Sequence, residues 1–323
     1  MKIAIVVPAH VKPTAEWIDA LDEETKHKAD VIIVDDSDGH LGRLPKAWRV
    51  FGYEQQKKFL GHLYYEFDRY FHHGSACRVF GHILAYKEKY DIVIGLDSDC
   101  VVQKGFISDH LRGLNKKAGG WQNTIESTGY YARGYPYHMR NWKTVANMGL
   151  WDETLDLNGK DRNEHEPKEV LETEGTAVAP IPFSGMNFAI KREAIPAFLF
   201  IPNFCFDRVW FKRIDDIWGG YIFQKLAHLK HQGISYGGPV VRHVSEVIPK
   251  EDEKAEQGMY HFEEQFIKAI DMMAFMTNLW YEDEKDYVAL YKRLLEFKVH
   301  LIPEFNNLIP IIQWWIKVWE KYE

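Results

Sequence analysis

The chain has 323 residues, 46% hydrophobic and 27% charged, the composition of a globular protein with room for one large domain or two modest ones; disorder, collagen-like repeats and a coiled-coil rod are excluded. The net charge is -7, from 40 Lys and Arg against 47 Asp and Glu, and no basic stretch tracks a phosphate backbone, which argues against nucleic-acid binding. The apolar runs Ile3 to Val7, Ala197 to Ile201 and Leu308 to Ile312 are far shorter than the roughly 20 residues of a membrane helix.

Ile3 to Val7 is continuously apolar and ends in Pro8-Ala9-His10, the pattern of a strand buried on both faces in a parallel sheet rather than of a signal h-region. After a polar, helix-compatible stretch from Thr14 to Lys28, Val31 to Val34 repeats the pattern and ends in Asp35-Asp36-Ser37-Asp38-Gly39. The helical stretch Ser75 to Lys89 then leads into a third strand, Ile92 to Leu96, followed by Asp97-Ser98-Asp99. This alternation predicts an open α/β sheet. From residue 119 the text becomes irregular, dense in Gly, Tyr, Trp and Pro, with short strands expected over Ala177 to Ile181 and Asn187 to Ile190.

Beyond residue 249, Met259, Phe262, Phe266, Ile270, Met273, Met276 and Trp280 recur at spacings of three and four, and Tyr287, Leu290, Leu294 and Phe297 continue that period. A catalytic domain over 1–248 and a helical extension over 249–323 are expected, with Lys250 to Lys254 and Glu282 to Lys285 as charged turns. The apolar face of the extension suits a homo-oligomer. Three cysteines, Cys77, Cys100 and Cys205, with no Cys-x-x-Cys pair, fit a reducing, cytoplasmic setting.

Two Asp-x-Asp triplets are about what 21 Asp in 323 residues supply by chance. Their position carries the weight, because ligands of open α/β sheets bind outside the carboxyl ends of the strands. Asp97 and Asp99 share a face if the backbone stays extended, and two carboxylates suit Mg²⁺ or Mn²⁺ with a nucleotide diphosphate completing the shell. The alternative is that they cap the turn after the strand. Asp36 and Asp38 stand where an acid takes ribose hydroxyls; Asp36-Ser37-Asp38-Gly39 also spells the nucleophile turn of some phosphatases.

Between Tyr130 and Arg140, Arg133 and Arg140 lie among five aromatic or imidazole side chains. Such a set can hold phosphate and sugar, or form a solvated loop with Arg on Tyr. Asp215 and Asp216 precede a helix, as acid and base groups or as its cap. His243 is a third candidate metal ligand. No Gly-x-Gly-x-x-Gly or Walker pattern is present, which argues against flavin, nicotinamide and P-loop chemistry.

Six blocks in order, Ser75 to Gly81, Asp97-Ser98-Asp99-Cys100, Arg133-Gly134-Tyr135-Pro136, Gly149-Leu150-Trp151, Gly185-Met186-Asn187 and Asp215-Asp216-Ile217-Trp218, resemble the reversibly glycosylated polypeptides, which include UDP-arabinopyranose mutases. The resemblance covers roughly residues 1 to 245. It implies a glycosyltransferase-A-type nucleotide-sugar fold, Mn²⁺ or Mg²⁺ on Asp97 and Asp99, and a UDP-sugar ligand, with UDP-arabinose foremost. It also implies that Arg133 is the site of sugar attachment and that Arg140 matters to activity. The ligand-contacting set expected on this basis is Pro8, His10, Asp36, Asp38, Arg78, Asp97, Ser98, Asp99, Gly185 and Asn187. Ser98 stands where the plant motif has a third Asp, and the stretch Asp156 to Glu174 departs from the pattern.

A guanidinium with pKa above about 12 has no free lone pair at neutral pH, so Arg133 as a covalent carrier needs a base such as Asp215 or Asp216. The alternative is that Arg133 clamps the ligand while a carboxylate carries the sugar. Besides pyranose–furanose interconversion with self-glycosylation, two readings stay open. One is a glycosyltransferase with a separate acceptor deprotonated by Asp215 or Asp216. The other is a sugar-nucleotide-binding scaffold whose Trp-rich C-terminus docks a partner.

Overall fold

A computed structural model describes residues 1–37, 39–118, 131, 133–134, 136–154, 157–164, 174–177, 180–244, 249–280, 286–296 and 303–322. In chain order the strands are β1 (Ile3–Ala9), β2 (Asp30–Asp35), β3 (Arg49–Phe51), β4 (Ile92–Leu96), β5 (Cys100–Val101), β6 (Lys117–Ala118), β7 (Trp142–Glu153), β8 (Gly175–Ala177), β9 (Asn187–Lys191), β10 (Phe204–Phe206), β11 (Val209–Phe211) and β12 (Gln232–His243). Ten of them form one sheet in the order β3-β2-β1-β4-β9-β7-β12-β5, with β6 on β7 and β8 on β12; β10 and β11 make a separate hairpin. β1 to β4 are mutually parallel where they pair, as are β7 and β12, while β9 runs antiparallel between β4 and β7. The chain is thus a mixed α/β protein.

Every residue of β1 and β4 is buried, because the sheet is covered on both faces. Side chains alternate between the two layers: Ala4 and Val6 enter one core, Ile3, Ile5 and Val7 the other. The helix Val79–Lys87 lies against the first face so closely that a Cβ on Gly81 would come within 2.4 Å of a Val6 methyl. On the second face lies the helix Ala15–Thr25, its amino end capped by Thr14, whose hydroxyl accepts the Trp17 N–H at 3.2 Å. Thr14→Ala removes that acceptor and is expected to cost about 1 kcal/mol of stability, measured as a lowered urea midpoint with unchanged slope.

The first three expected strands and the helices beside them are in place. The irregular half contains two 12-residue strands, β7 and β12, that the sequence pattern hides. Of the strand expected over Ala177 to Ile181, Ala177 belongs to β8, Val178 and Ala179 lie outside the described residues, and Pro180 and Ile181 are not in a strand; β9 falls where expected. Lys250 to Lys254 is no turn but belongs to the helix Pro249–Ala255. The periodic segments form the helices Gln257–Trp280 and Tyr287–Glu296, while Phe297 and Glu282 to Lys285 lie outside the described residues.

The C-terminal helices close one side of the first core. Met259, Phe266, Tyr291, Trp314, Trp315 and Trp319 belong to the same cluster as Ala4, Val6 and Val93. In the helix Leu308–Tyr322, Trp314 donates its indole N–H to the Leu63 carbonyl at 3.0 Å and Trp315 to that of Pro196 at 2.8 Å. These tryptophans are fully buried within their own chain, so their rings are not presented to a partner. The large apolar side chains exposed in the helix Gln257–Trp280 include Met272 and Phe275.

Candidate active site

A cleft of about 630 Å³ opens at the carboxyl end of β4, lined among others by Arg78, Asp97, Asp99, Asp215, Asp216 and His243. A larger hollow, about 820 Å³, lies at the opposite ends of the strands, bounded by Met1, Ile92, Lys143 and Lys191. Ligands of open α/β sheets sit at the carboxyl ends, and the acid cluster is there, so the smaller cleft is the candidate site.

Asp97 follows β4 and its backbone N–H donates to the Met186 carbonyl on β9's approach. The Cys100 N–H donates back to the Asp97 carbonyl at 3.1 Å, so Asp97, Ser98 and Asp99 form a tight turn. The two acids therefore reach one cleft through a turn, not through the strand alternation the sequence suggested. Ser98 is half-buried within that turn.

Asp97 pairs with Arg78, whose Nη2 lies 2.6 Å from its Oδ1. Arg78 is 1% exposed. Its Nε donates to the Ser75 carbonyl at 3.0 Å, its Nη1 donates to the Gly185 carbonyl, and the guanidinium lies 4.9 Å from the centre of the Phe200 ring. Burial pushes the Asp97 carboxyl up to about 6; Arg78 opposes this, and the charges of Asp99 and Asp215 add to it. Burial would lower the Arg78 pKa, but Asp97, Asp215 and Asp216 together raise it.

Asp99 faces His243, with Nε2 3.5 Å from Oδ2. The other ring nitrogen, Nδ1, lies 2.7 Å from the Thr154 carbonyl and must donate to it, so Nε2 faces the acid, donating to it as imidazolium and presenting a lone pair only once that proton is lost. Burial alone would raise Asp99, but the hydrogen bond and charge of His243 hold it below its ordinary value. Asp99, Cys100 and His243 offer ligand atoms within 4.8 Å of one another. An oxygen and an imidazole nitrogen held this way suit a divalent cation.

Asp215 and Asp216 open the helix Asp215–Leu229. Asp215 accepts the Ser75 hydroxyl at 2.5 Å, and Asp216 accepts the Gly185 N–H at 2.6 Å. Gly185 thus has both backbone groups committed, one to Asp216 and one to Arg78, and braces the site without lining the cleft.

Other expected ligand contacts lie behind the cleft. Asn187 is fully buried; its amide donates to the Leu150 and Pro239 carbonyls at 2.9 Å and its oxygen meets His110 Nε2 at 2.9 Å. It ties β9 to its neighbours and has no donor left for a nucleotide. Pro8 is buried in β1. It stands beyond the last β4 partner pair, Val6 with Gly95, where its missing N–H breaks no ladder bond to β4.

Asp36 is also spoken for. Its Oδ1 meets His72 Nδ1 at 2.6 Å, and its Oδ2 meets His10 Nδ1 at 3.1 Å and the His73 N–H at 2.6 Å. Burial would raise its pKa, but His10 and His72 drive it well below the carboxylate range. The carboxylate anchors the loop 72–73 to the sheet rather than awaiting ribose hydroxyls. His10, Asp36 and Cys77 form a second group whose ligand atoms lie within 4.8 Å, although burial and the Asp36 charge push the Cys77 thiol up. Asp38 lies outside the described residues.

Arg133 is exposed, and Arg140 lies over Tyr137 at 3.9 Å; neither lines the cleft. Arg140 precedes Trp142 at one end of β7, whereas Trp151 at the other end reaches the cleft. The site also contains residues the sequence reading missed. Arg213 reaches Glu256 at 2.9 Å and Asp252 at 3.0 Å, and Glu256 in turn accepts the Gly159 N–H at 2.8 Å. Through Glu256 and Met259 the C-terminal helices supply part of the cleft wall. Nothing local marks Glu256, which sits in a run of charges.

Two solved structures resemble the chain only loosely. "Crystal Structure of a Mycobacterial Protein" has a TM-score of 0.41 at 12% identity, covering 84% of this chain and 74% of that one. "Crystal Structure of A197 from STIV" has a TM-score of 0.31 at 13% identity, covering 74% of this chain and 86% of that one. No curated protein matches the sequence. The family model described as "Reversibly glycosylated polypeptide" matches residues 2–323, running through the C-terminal helices that the six sequence blocks leave out. With that match spanning the whole sequence, the chain belongs to the reversibly glycosylated polypeptide family.

Proposed function

We propose that the protein is a metal-dependent UDP-sugar enzyme of glycosyltransferase-A type, acting as a UDP-arabinopyranose mutase with reversible self-glycosylation. The observation that carries this reading is the convergence of Asp97, Asp99, Asp215, Asp216, Arg78 and His243 on one cleft at the strand ends, in a chain of this family. The cleft volume falls within the roughly 300–1,000 Å³ of small-molecule sites. Five carboxylates line the cleft against the cations of Arg78, Lys212 and Arg213, and a divalent ion would offset the excess negative charge that a diphosphate meets there. Asp99 and His243, with Asp97 beside them, would hold Mn²⁺ or Mg²⁺, and such an ion stabilises the charge on departing UDP.

The protein's own residues do the rest. Arg78 holds Asp97 and the Gly185 turn in place. As UDP leaves C1, a carboxylate of the cleft takes its place on the sugar. Asp215, oriented by Ser75, then takes the proton of the hydroxyl that bonds to C1 to close the new ring and gives it to the ring oxygen whose bond to C1 breaks, and UDP rejoins C1 as the carboxylate leaves. Trp151, Phe183 and Met259 on the cleft wall keep water from the opened sugar. Arg133 lies outside this cleft, which favours a carrier other than Arg133 for the retained sugar.

Incubation with labelled UDP- and GDP-sugars, with and without Mn²⁺, tests the reading. UDP-arabinopyranose alone should yield the furanose form with Mn²⁺, label should stay on the protein, and peptide mapping locates it. No turnover of any UDP-sugar would sink the proposal. A further expectation concerns pH: because the Asp97 carboxyl keeps its proton up to about 6, a cation must displace that proton. The apparent Kd for Mn²⁺, measured by calorimetry, should fall as pH rises, by up to about tenfold per unit below pH 6, and level off above it. Asp97→Asn should make the profile shallower, His243 and Asp99 still having to be free of protons to hold the ion.

A further inference from the structure

We propose that the cleft continues into a saccharide-acceptor chamber walled by Trp210, so that the same centre also transfers sugar from UDP to a carbohydrate hydroxyl. The inference rests on the reading of the cleft as a UDP-sugar site. A chamber of about 270 Å³, lined by Tyr70, His73 and Trp210 among others, shares Ser75, Asn203, Lys212 and Asp215 with the cleft. These four shared residues, Asp215 among them, stand where the two spaces adjoin. The chamber is smaller than the roughly 300 Å³ at which whole-ligand sites begin, which suits one sugar ring and not a second nucleotide.

The way Trp210 is presented carries the argument further. Asp207 and Arg208 both have positive φ, 44° and 67°, the backbone of the tight turn that lets β10 and β11 fold into a hairpin. Along the hairpin, Phe204 and Phe211 face the core and stack with centroids 4.5 Å apart. Alternation then turns the opposed pair Cys205 and Trp210 outward. Trp210 is 52% exposed, a large apolar surface left in water at the wall of a polar chamber, with the Lys212 ammonium 4.9 Å from its centroid. An indole so placed offers a flat apolar platform for the C–H face of a sugar, while His73, Asn203 and Asp215 meet its hydroxyls.

In the transfer the acceptor hydroxyl gives its proton to the Asp215 carboxylate as its oxygen bonds to C1 of the donor sugar. The C1–O bond to the β-phosphate breaks with its electron pair leaving on UDP, and Asp215 returns the proton to water once the product has gone.

The test uses the full chain with Mn²⁺, labelled UDP-sugars and neutral gluco-, galacto-, xylo- and arabino-oligosaccharides. Label should enter an oligosaccharide. Trp210→Ala should lower acceptor kcat/KM by about tenfold or more, chiefly through acceptor KM, while Trp210→Phe retains most of it. UDP affinity, measured separately, should change less than about twofold. If UDP-sugars are consumed but no oligosaccharide is labelled, or if Trp210→Ala matches the parent, the chamber is not an acceptor site and the UDP-sugar reading stands. If Trp210→Ala instead weakens UDP, the indole holds the uracil and the proposal falls. If the protein neither binds nor consumes any UDP-sugar, the reading beneath it falls first.

Discussion

Replacing Arg78 by Met is expected to destabilise the protein by about 3–5 kcal/mol, the cost of removing one partner from a buried ion pair. Arg78 is 1% exposed and lies among Asp97, Asp215 and Asp216. Met fills much of the same volume but leaves those carboxylates uncompensated and the Ser75 and Gly185 carbonyls without their donors. Arg78→Lys keeps the charge but not the planar fork that serves three acceptors at once, and should fall between. Urea unfolding at pH 7 measures both; the midpoint should drop with little change in slope. A loss below about 1 kcal/mol for Arg78→Met would mean that Asp97 is neutral in the folded state and that water serves the carbonyls. Since the same side chain positions Asp97, UDP-sugar turnover should fall more than stability predicts, even at temperatures where the variant is folded.

The contrast between the two halves of the sheet shows which parts of a sequence speak for themselves. β1 and β4 are legible because their neighbours bury both faces, so every residue is apolar or small and the run ends at the ligand side. β7 and β12 are not, because their burial is polar. Asn147 and Ser235 are each at most 1% exposed; Ser235 donates to the Asn147 side chain at 2.7 Å, and Asn147 donates to the Gly238 carbonyl at 3.1 Å. Hydrogen bonds between strands replace apolar contact there, and a reading by hydrophobic period passes over them. A register shift between Tyr236 and Val240 interrupts the pattern again.

The C-terminal helices teach the complementary lesson. Their period of three and four was plain, but the surface they cover was not, because its partners are remote: Trp314 finds Leu63, 251 residues away. Lys250 to Lys254 reads as a solvated turn only while Arg213 is unseen; with it, Asp252 and Glu256 become ion-pair partners of a guanidinium that lines the cleft. The strand-end rule singled out Asp97, Asp99 and His243 without any of this, and Asp215 and Asp216, read as acids before a helix, line the same cleft. It failed for Asp36 because a strand-end acid can be consumed locally, and His72 and His73, which consume it, lie 36 and 37 residues further along the chain. It could not place Arg133 and Arg140, which precede β7.

Asp215→Asn should lower UDP-sugar turnover by about 10²–10⁴-fold, the range for loss of a positioned acid–base group, and leave UDP affinity in Mn²⁺ within about threefold. The choice of Asp215 over its neighbour follows from geometry. Asp216 accepts the Gly185 N–H and so braces the turn that Arg78 also holds. Asp215 accepts the Ser75 hydroxyl, which orients it, and stands where the cleft meets its side chamber. Asn keeps the size of the side chain and an oxygen for Ser75 but cannot take a proton. Ser75→Ala, which removes only the orienting hydrogen bond, should cost far less, about tenfold. Asp216→Asn should show its effect in stability as well as rate, since a weaker acceptor loosens the Gly185 turn. Steady-state kinetics with UDP-arabinopyranose, paired with calorimetric UDP titration, separate these outcomes. If Asp215→Asn turns over at the parental rate, the proton is moved by another group, and the carboxylate at the head of the helix Asp215–Leu229 is a cap and nothing more.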